Sequence, residues 1–129
     1  MGFKFDTVKD GFQTVMRGYQ EICLRFIWEK KEEGVTSGTA WVHVNNVLME
    51  QEKSISRASI IMFLNDMFKK GVVRYTEESG KGGYHRIYSP VFDEEGFKRH
   101  VAEKVISKLS EMWPDATREV LNKSLKLGN

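Results

Sequence analysis

The sequence predicts an α+β chain that is mostly helical: three helices, one hairpin, then two more helices. Two observations predict it. Residues 56–90, SRASIIMFLNDMFKKGVVRYTEESGKGGYHRIYSP, read as an amphipathic helix, an abrupt stop, and two strands around a glycine-rich reversal. On either side, apolar residues recur at helical spacing, with Gly or Pro between the runs. Helix, helix, helix, strand, strand is the order of a winged helix-turn-helix domain. The expectation is therefore such a domain followed by C-terminal dimerisation helices.

The elements justify themselves in chain order. Residues 1–14 form an arm in which Phe3, Phe5, Val8 and Phe12 suggest a short strand and a helical turn. A first helix is expected from about Val15 to Glu33, burying Tyr19, Ile22, Cys23, Phe26 and Ile27 and stopping at Gly34. Val35-Thr36 can add a short edge strand. Ser37 is expected to cap a second helix running to about Glu50, with Ala40, Trp41, Val44, Val47 and Leu48 inward and His43 and Asn45 outward or at the rim.

Ser56 should cap the third helix, because its hydroxyl can accept a bond from an otherwise unpaired backbone N–H. Ile60, Phe63, Leu64, Met67 and Phe68 form its apolar stripe, and Gly71 supplies the stop. Strands are expected over Val72–Thr76 and Tyr84–Tyr88, with residues 78–83 free to take positive φ between them. After Ser89-Pro90, Phe97, Val101, Val105, Leu109 and Met112 mark a long amphipathic helix. Pro114 opens a last one containing Val120, Leu121, Leu125 and Leu127. Those stripes exceed what a finished winged domain needs, so a second copy of the chain should cover Phe97, Val101, Val105, Leu109, Met112 and Leu121. The resulting division is arm 1–14, winged domain 15–92 and dimerisation segment 93–129.

This arrangement points to double-stranded DNA. The outward face of the third helix's first turns holds Arg57, Ala58, Ser59 and Met62, with Asn65 at its margin, and helix N-terminal side chains are those that reach base edges in a major groove. Ser56 and Ser37 stand at helix starts, where phosphates are held. Arg74, Tyr84 and Arg86 on the hairpin, with Lys81 at its tip, are candidates for backbone and minor-groove contacts. The formal net charge is only +2. Residues 1–92 carry 13 Lys/Arg against 11 Asp/Glu and the remainder 7 against 7, so the excess lies with the winged part. A rival reading takes Ala58, Ile61 and Met62 as an apolar face that docks a protein instead of DNA.

Other chemistries find little support. His43, His85 and His100 fall on separate elements without ligand spacing, and Cys23 lies in an apolar stripe, so neither metal nor nucleophilic catalysis is expected. Gly80-Lys81-Gly82-Gly83 lacks the spacing and following helix of a phosphate loop. No paired carboxylates or Ser/His/Asp set stands out, no cofactor is implied, and no residue pattern points to a particular small-molecule effector. One cysteine, no bilayer-length apolar run and no signal-peptide core at the start together suggest a cytoplasmic protein without a membrane partner.

Over about residues 19–90 the chain resembles the penicillinase-repressor family. CLRFIWE with Trp28, SRASIIMFLNDMFKKG and GYHRIYSP carry the likeness, and Ser56, Ser59, Ile60, Phe63, Leu64, Met67, Lys70 and Gly71 fit the family's third helix without gaps. The resemblance implies a homodimeric transcriptional repressor of a palindromic operator. Ala58, Ile61 and Asp66 depart from it, since relatives carry basic residues there. The C-terminal cysteines of the family's copper-responsive branch are also missing.

Overall fold

A computed structural model describes residues 4–80 and 82–127, so Phe3 and Lys81 lie outside the described residues, as does the side chain of Leu127. The chain divides into two compact units, Met1–Asp93 and Glu94–Asn129.

In the first unit, α1 (Gly18–Lys30), α2 (Ser37–Met49) and α3 (Arg57–Lys69) precede an antiparallel hairpin of β1 (Val73–Gly80) and β2 (Gly83–Pro90). The core between them is wholly apolar: Cys23, Leu24 and Ile27 from α1, Ala40, Val44 and Leu48 from α2, and Ile60, Phe63, Leu64 and Met67 from α3. Val72, Val73 and Tyr88 extend it under the hairpin. Cys23 is part of this packing, and burial pushes its thiol up to about 12, which removes the thiolate a nucleophile would need.

The ends of α3 follow the local code. Ser59 N–H donates to Ser56 Oγ at 3.1 Å, satisfying one of the donors a helix start leaves unpaired. At the other end Gly71 takes φ +75°. Its N–H donates to Phe68 O, and Val72 N–H donates to Met67 O at 2.9 Å. This double closure turns the chain sharply from helix into strand.

The structure corrects the sequence expectations at several points. Thr36, not Ser37, caps α2: its Oγ1 accepts from Thr39 N–H at 3.1 Å, and Ser37 is already helical. The first helix begins at Gly18, where Gln20 Oε1 accepts from Arg17 N–H, and it ends at Lys30 in a 3-10 turn over Lys31–Glu33. Leu24 joins its buried face, while Tyr19 and Ile22 are half-buried. Phe68 is 42% exposed and sits edge-on to Tyr75 outside the core.

The strands run further than their β-branched residues suggested. Gly80 pairs with Gly83, and Gly82 before it takes φ +88°. Val35 adds an isolated bridge, exchanging two 2.8 Å backbone bonds with Tyr88. Gly34 is required just before it, because its φ is +80° and a β-carbon there would run into Ile87 and the Tyr88 carbonyl.

The arm contains no strand among its described residues. It folds back on itself, Asp6 N–H donating to Thr14 O at 2.7 Å, with a 3-10 turn over Gly11–Thr14. Phe12 anchors it to α1 through the Trp28 ring, centroids 5.5 Å apart.

The second unit is a helix pair, α4 (Glu94–Met112) and α5 (Pro114–Leu127). Thr117 Oγ1 donates to Leu109 O at 3.0 Å, satisfying a carbonyl at the end of α4.

Candidate nucleic-acid interface

Two clasps set the position of α3. The first holds the turn that precedes it. Asn45 Oδ1 accepts from Ile55 N–H at 2.9 Å, while Asn45 Nδ2 and Trp41 Nε1 both donate to Ile55 O, at 3.2 and 2.9 Å. Ile55 is the residue before the Ser56 cap, so α2 fixes where α3 starts. The expectation that Trp41 is core is corrected here: it is partly exposed and serves the turn, as does Asn45 at the rim. His43 takes a rim position, half-buried, with its ring stacked on Phe26 at 4.0 Å.

The second clasp joins α3 to the hairpin. Asn65 Oδ1 accepts from Arg86 Nη1 at 3.0 Å and from the Tyr88 hydroxyl at 3.2 Å. The Arg86 guanidinium also lies 4.3 Å from the Tyr75 ring centroid. The hydrogen bond to Tyr88 pushes the Arg86 guanidinium further above its already high range.

With both ends fixed, α3 presents a continuous outer face. Ala58 and Met62 are exposed, Met62 at 71%, and Arg57 lies at the helix start. Ser59 is half-buried, its hydroxyl 2.9 Å from that of Ser56. Both hydroxyls are therefore engaged in the cap. The Arg57 guanidinium reaches the start of α2, where a β-carbon on Gly38 would stand 3.3 Å from Nη2. Thus Arg57 and Ser37, predicted separately, lie at neighbouring helix starts.

On the hairpin, Arg74 is exposed near the root with Nε 3.4 Å from Ser89 Oγ, and Tyr84, 79% exposed, stands opposite Ser79 near the tip. The residues sequence reasoning missed are Asn45, Trp41 and the bonding of Asn65. A mid-helix asparagine on an otherwise apolar pattern is the signal that could have found the first.

The sequence matches the family model described as Penicillinase repressor over residues 19–127. The chain belongs to the penicillinase-repressor family. Membership makes it a DNA-binding transcription regulator, a class that generally lacks catalysis. Its fold is mostly α with a two-stranded antiparallel sheet, a winged helix-turn-helix. Among solved structures, the complex structure of hsRosR-S1 is similar over 86% of this chain and 89% of its own, at 18% identity and a TM-score of 0.44. That likeness is too distant to carry function. A search of curated proteins finds no match. Among the described residues, no three His, Cys, Asp or Glu side chains are grouped to hold a metal ion. No described helix is long and apolar enough to cross a membrane.

In the second unit, Phe97 is buried. Val101, Val105 and Leu109 are half-buried, and Met112 and Leu121 are exposed. Val120 and Leu125 are 61% and 68% exposed, beside Trp113 and Ile106, which the sequence reading did not single out.

Proposed function

We propose that this penicillinase-repressor relative is a cytoplasmic repressor that binds an inverted-repeat operator as a homodimer, with residues 15–92 on the DNA and 93–129 joining the chains. The observation that carries the reading is the outer face of α3, held at both ends by Asn45 and Asn65 while its own side chains stay exposed. Such a helix fits a major groove, with Ala58 and Met62 suited to thymine methyls and Arg57 to guanine or phosphate. Arg74, Tyr84 and Lys81 of the hairpin serve the flanking backbone, whereas Arg86 chiefly braces α3. Burying an apolar side chain stabilises by about 1.5–3 kcal/mol, so the exposed Val120, Leu121 and Leu125 favour a second copy as their cover. A two-fold pair would set the two α3 helices about one DNA turn apart, or a multiple of it.

The exposed Ile61 and Met62 also suit a docked protein. Salt separates the two readings. In a mobility-shift titration of duplex DNA, groove binding weakens steeply as salt rises, because phosphate contacts release counterions. Duplex affinity that hardly responds to salt, or none at all, would favour protein docking.

A further inference from the structure

The arm preceding Tyr19 lies outside the stretch that matches the family model, yet it forms one wall of a cleft whose other wall is α3. Between them runs an open cleft of about 790 Å³. Lys4, Lys9 and Arg17 line it from the arm, and Met62, Asp66 and Lys69 from α3.

Helical spacing shows which flank of α3 this is. Residues 62, 66 and 70 follow one another at i, i+4 and lie on one side of the helix, whereas Phe68, about 200° further round from Asp66, meets Tyr75 of the hairpin; Asn65, between them, lines the cleft and bonds Arg86. The arm and the hairpin therefore bracket α3 from opposite flanks. A duplex seated on the α3 face would meet the hairpin along one phosphate strand and the arm along the other.

The charges fit that placement. Of the two carboxylates in the cleft, Asp66 is paired with Lys70 at 3.4 Å, and Asp6 Oδ1 accepts from Val8 N–H. Lys4, Lys9, Arg17 and Lys69 have no carboxylate partner among the described residues. The first turn of α1, Gly18 to Gln20, also opens into the cleft. Its N–H groups add the positive end of a helix dipole to the same space. The arm is not a loose tail, since Phe12 packs on Trp28 and Arg25 lies 5.1 Å from the Phe12 centroid.

We infer that the arm is a second DNA-holding lip: Lys4, Lys9 and Arg17 grip the phosphodiester backbone on the flank of α3 away from the hairpin. This rests on the DNA reading of the α3 face. It adds affinity without sequence choice, because phosphate contacts position a protein and bases specify it.

The test uses the full chain and two duplexes, one enriched from a random pool and one unrelated. The variants are Lys4→Gln/Lys9→Gln, Arg17→Gln, the control Lys104→Gln/Lys108→Gln, and Met62→Ala. Each lost phosphate contact removes about 0.9 from the slope of log affinity against log salt. The arm double variant should thus lose about two units of slope on both duplexes. Its deficit against the parent should narrow about tenfold between about 50 and about 200 mM salt. Arg17→Gln should lose about one unit, the control should match the parent, and Met62→Ala should lose binding mainly on the enriched duplex. If Met62→Ala weakens binding while the arm variants keep the parental slope, the lip is wrong and the α3 reading stands. If the control loses as much slope as the arm variant, bulk charge explains the effect and the lip is again wrong. If the parent binds neither duplex, both readings fall together.

Discussion

Replacing Asn45 with Ala tests how the helix that faces DNA is set in place. The side chain makes three bonds, and their losses are unequal. The bond from Nδ2 to Trp41 O, at 2.9 Å, is a second bond to a helical carbonyl and costs little to lose. Ile55 O keeps the Trp41 indole N–H as donor. Ile55 N–H, however, loses its acceptor in a half-buried position. An unsatisfied buried donor costs about 1–3 kcal/mol, so Asn45→Ala should destabilise the fold by about 2 kcal/mol. Asn45→Asp keeps an acceptor for Ile55 N–H but sets a carboxylate oxygen against the Trp41 and Ile55 carbonyls, which Nδ2 meets at 2.9 and 3.2 Å, so it should cost at least as much as Asn45→Ala. Urea unfolding followed by far-UV circular dichroism reads both, with the midpoint shifted and the slope unchanged. The clasp is refuted if either variant unfolds within a few tenths of a kcal/mol of the parent.

Three further outcomes are expected. Gly34→Ala should destabilise by more than about 2 kcal/mol, since it combines a positive φ with a clash against Ile87 and the Tyr88 carbonyl; a thermal melt within a degree of the parent would contradict it. Burial pushes the Cys23 thiol up from its ordinary 9.0 to about 12. The unfolded chain therefore sheds its proton first, and this group's contribution to stability is full below pH 9 and declines between pH 9 and 12. A native thiol that reacts with a disulfide reagent at pH 8 as fast as the urea-unfolded one would show Cys23 is not sealed. Val120→Glu/Leu125→Glu should raise the dimer dissociation constant at least about a hundredfold, as each buried side chain contributes about 1.5–3 kcal/mol. Sedimentation equilibrium checks it, and an unchanged constant would place the interface elsewhere.

What was legible in the sequence was what neighbouring residues decide. Ser56 and Gly71 bound α3 through bonds to residues at most five positions away, so their roles can be read directly. The Ser37 expectation failed narrowly because Thr36 and Ser37 both carry a hydroxyl, and only the extended backbone at Thr36 chooses between them. The Ile55 and Asn65 clasps were illegible for another reason. They join residues 10 and 21 positions apart, brought together only once the helices pack. Phe68 fell on the apolar stripe by spacing, yet the hairpin root offers it Tyr75 at the core's edge. The arm's return to α3 depends on Phe12 meeting Trp28, which no local pattern announces.

Selection from a random duplex pool by the intact chain tests the central claim most directly. The account predicts an enriched inverted repeat, its half-sites about one helical turn apart or a multiple of it, carrying two chains per duplex, with the preferred bases altered by Met62→Ala. Enrichment of a single half-site bound by one chain, or no enrichment over the starting pool, would contradict it.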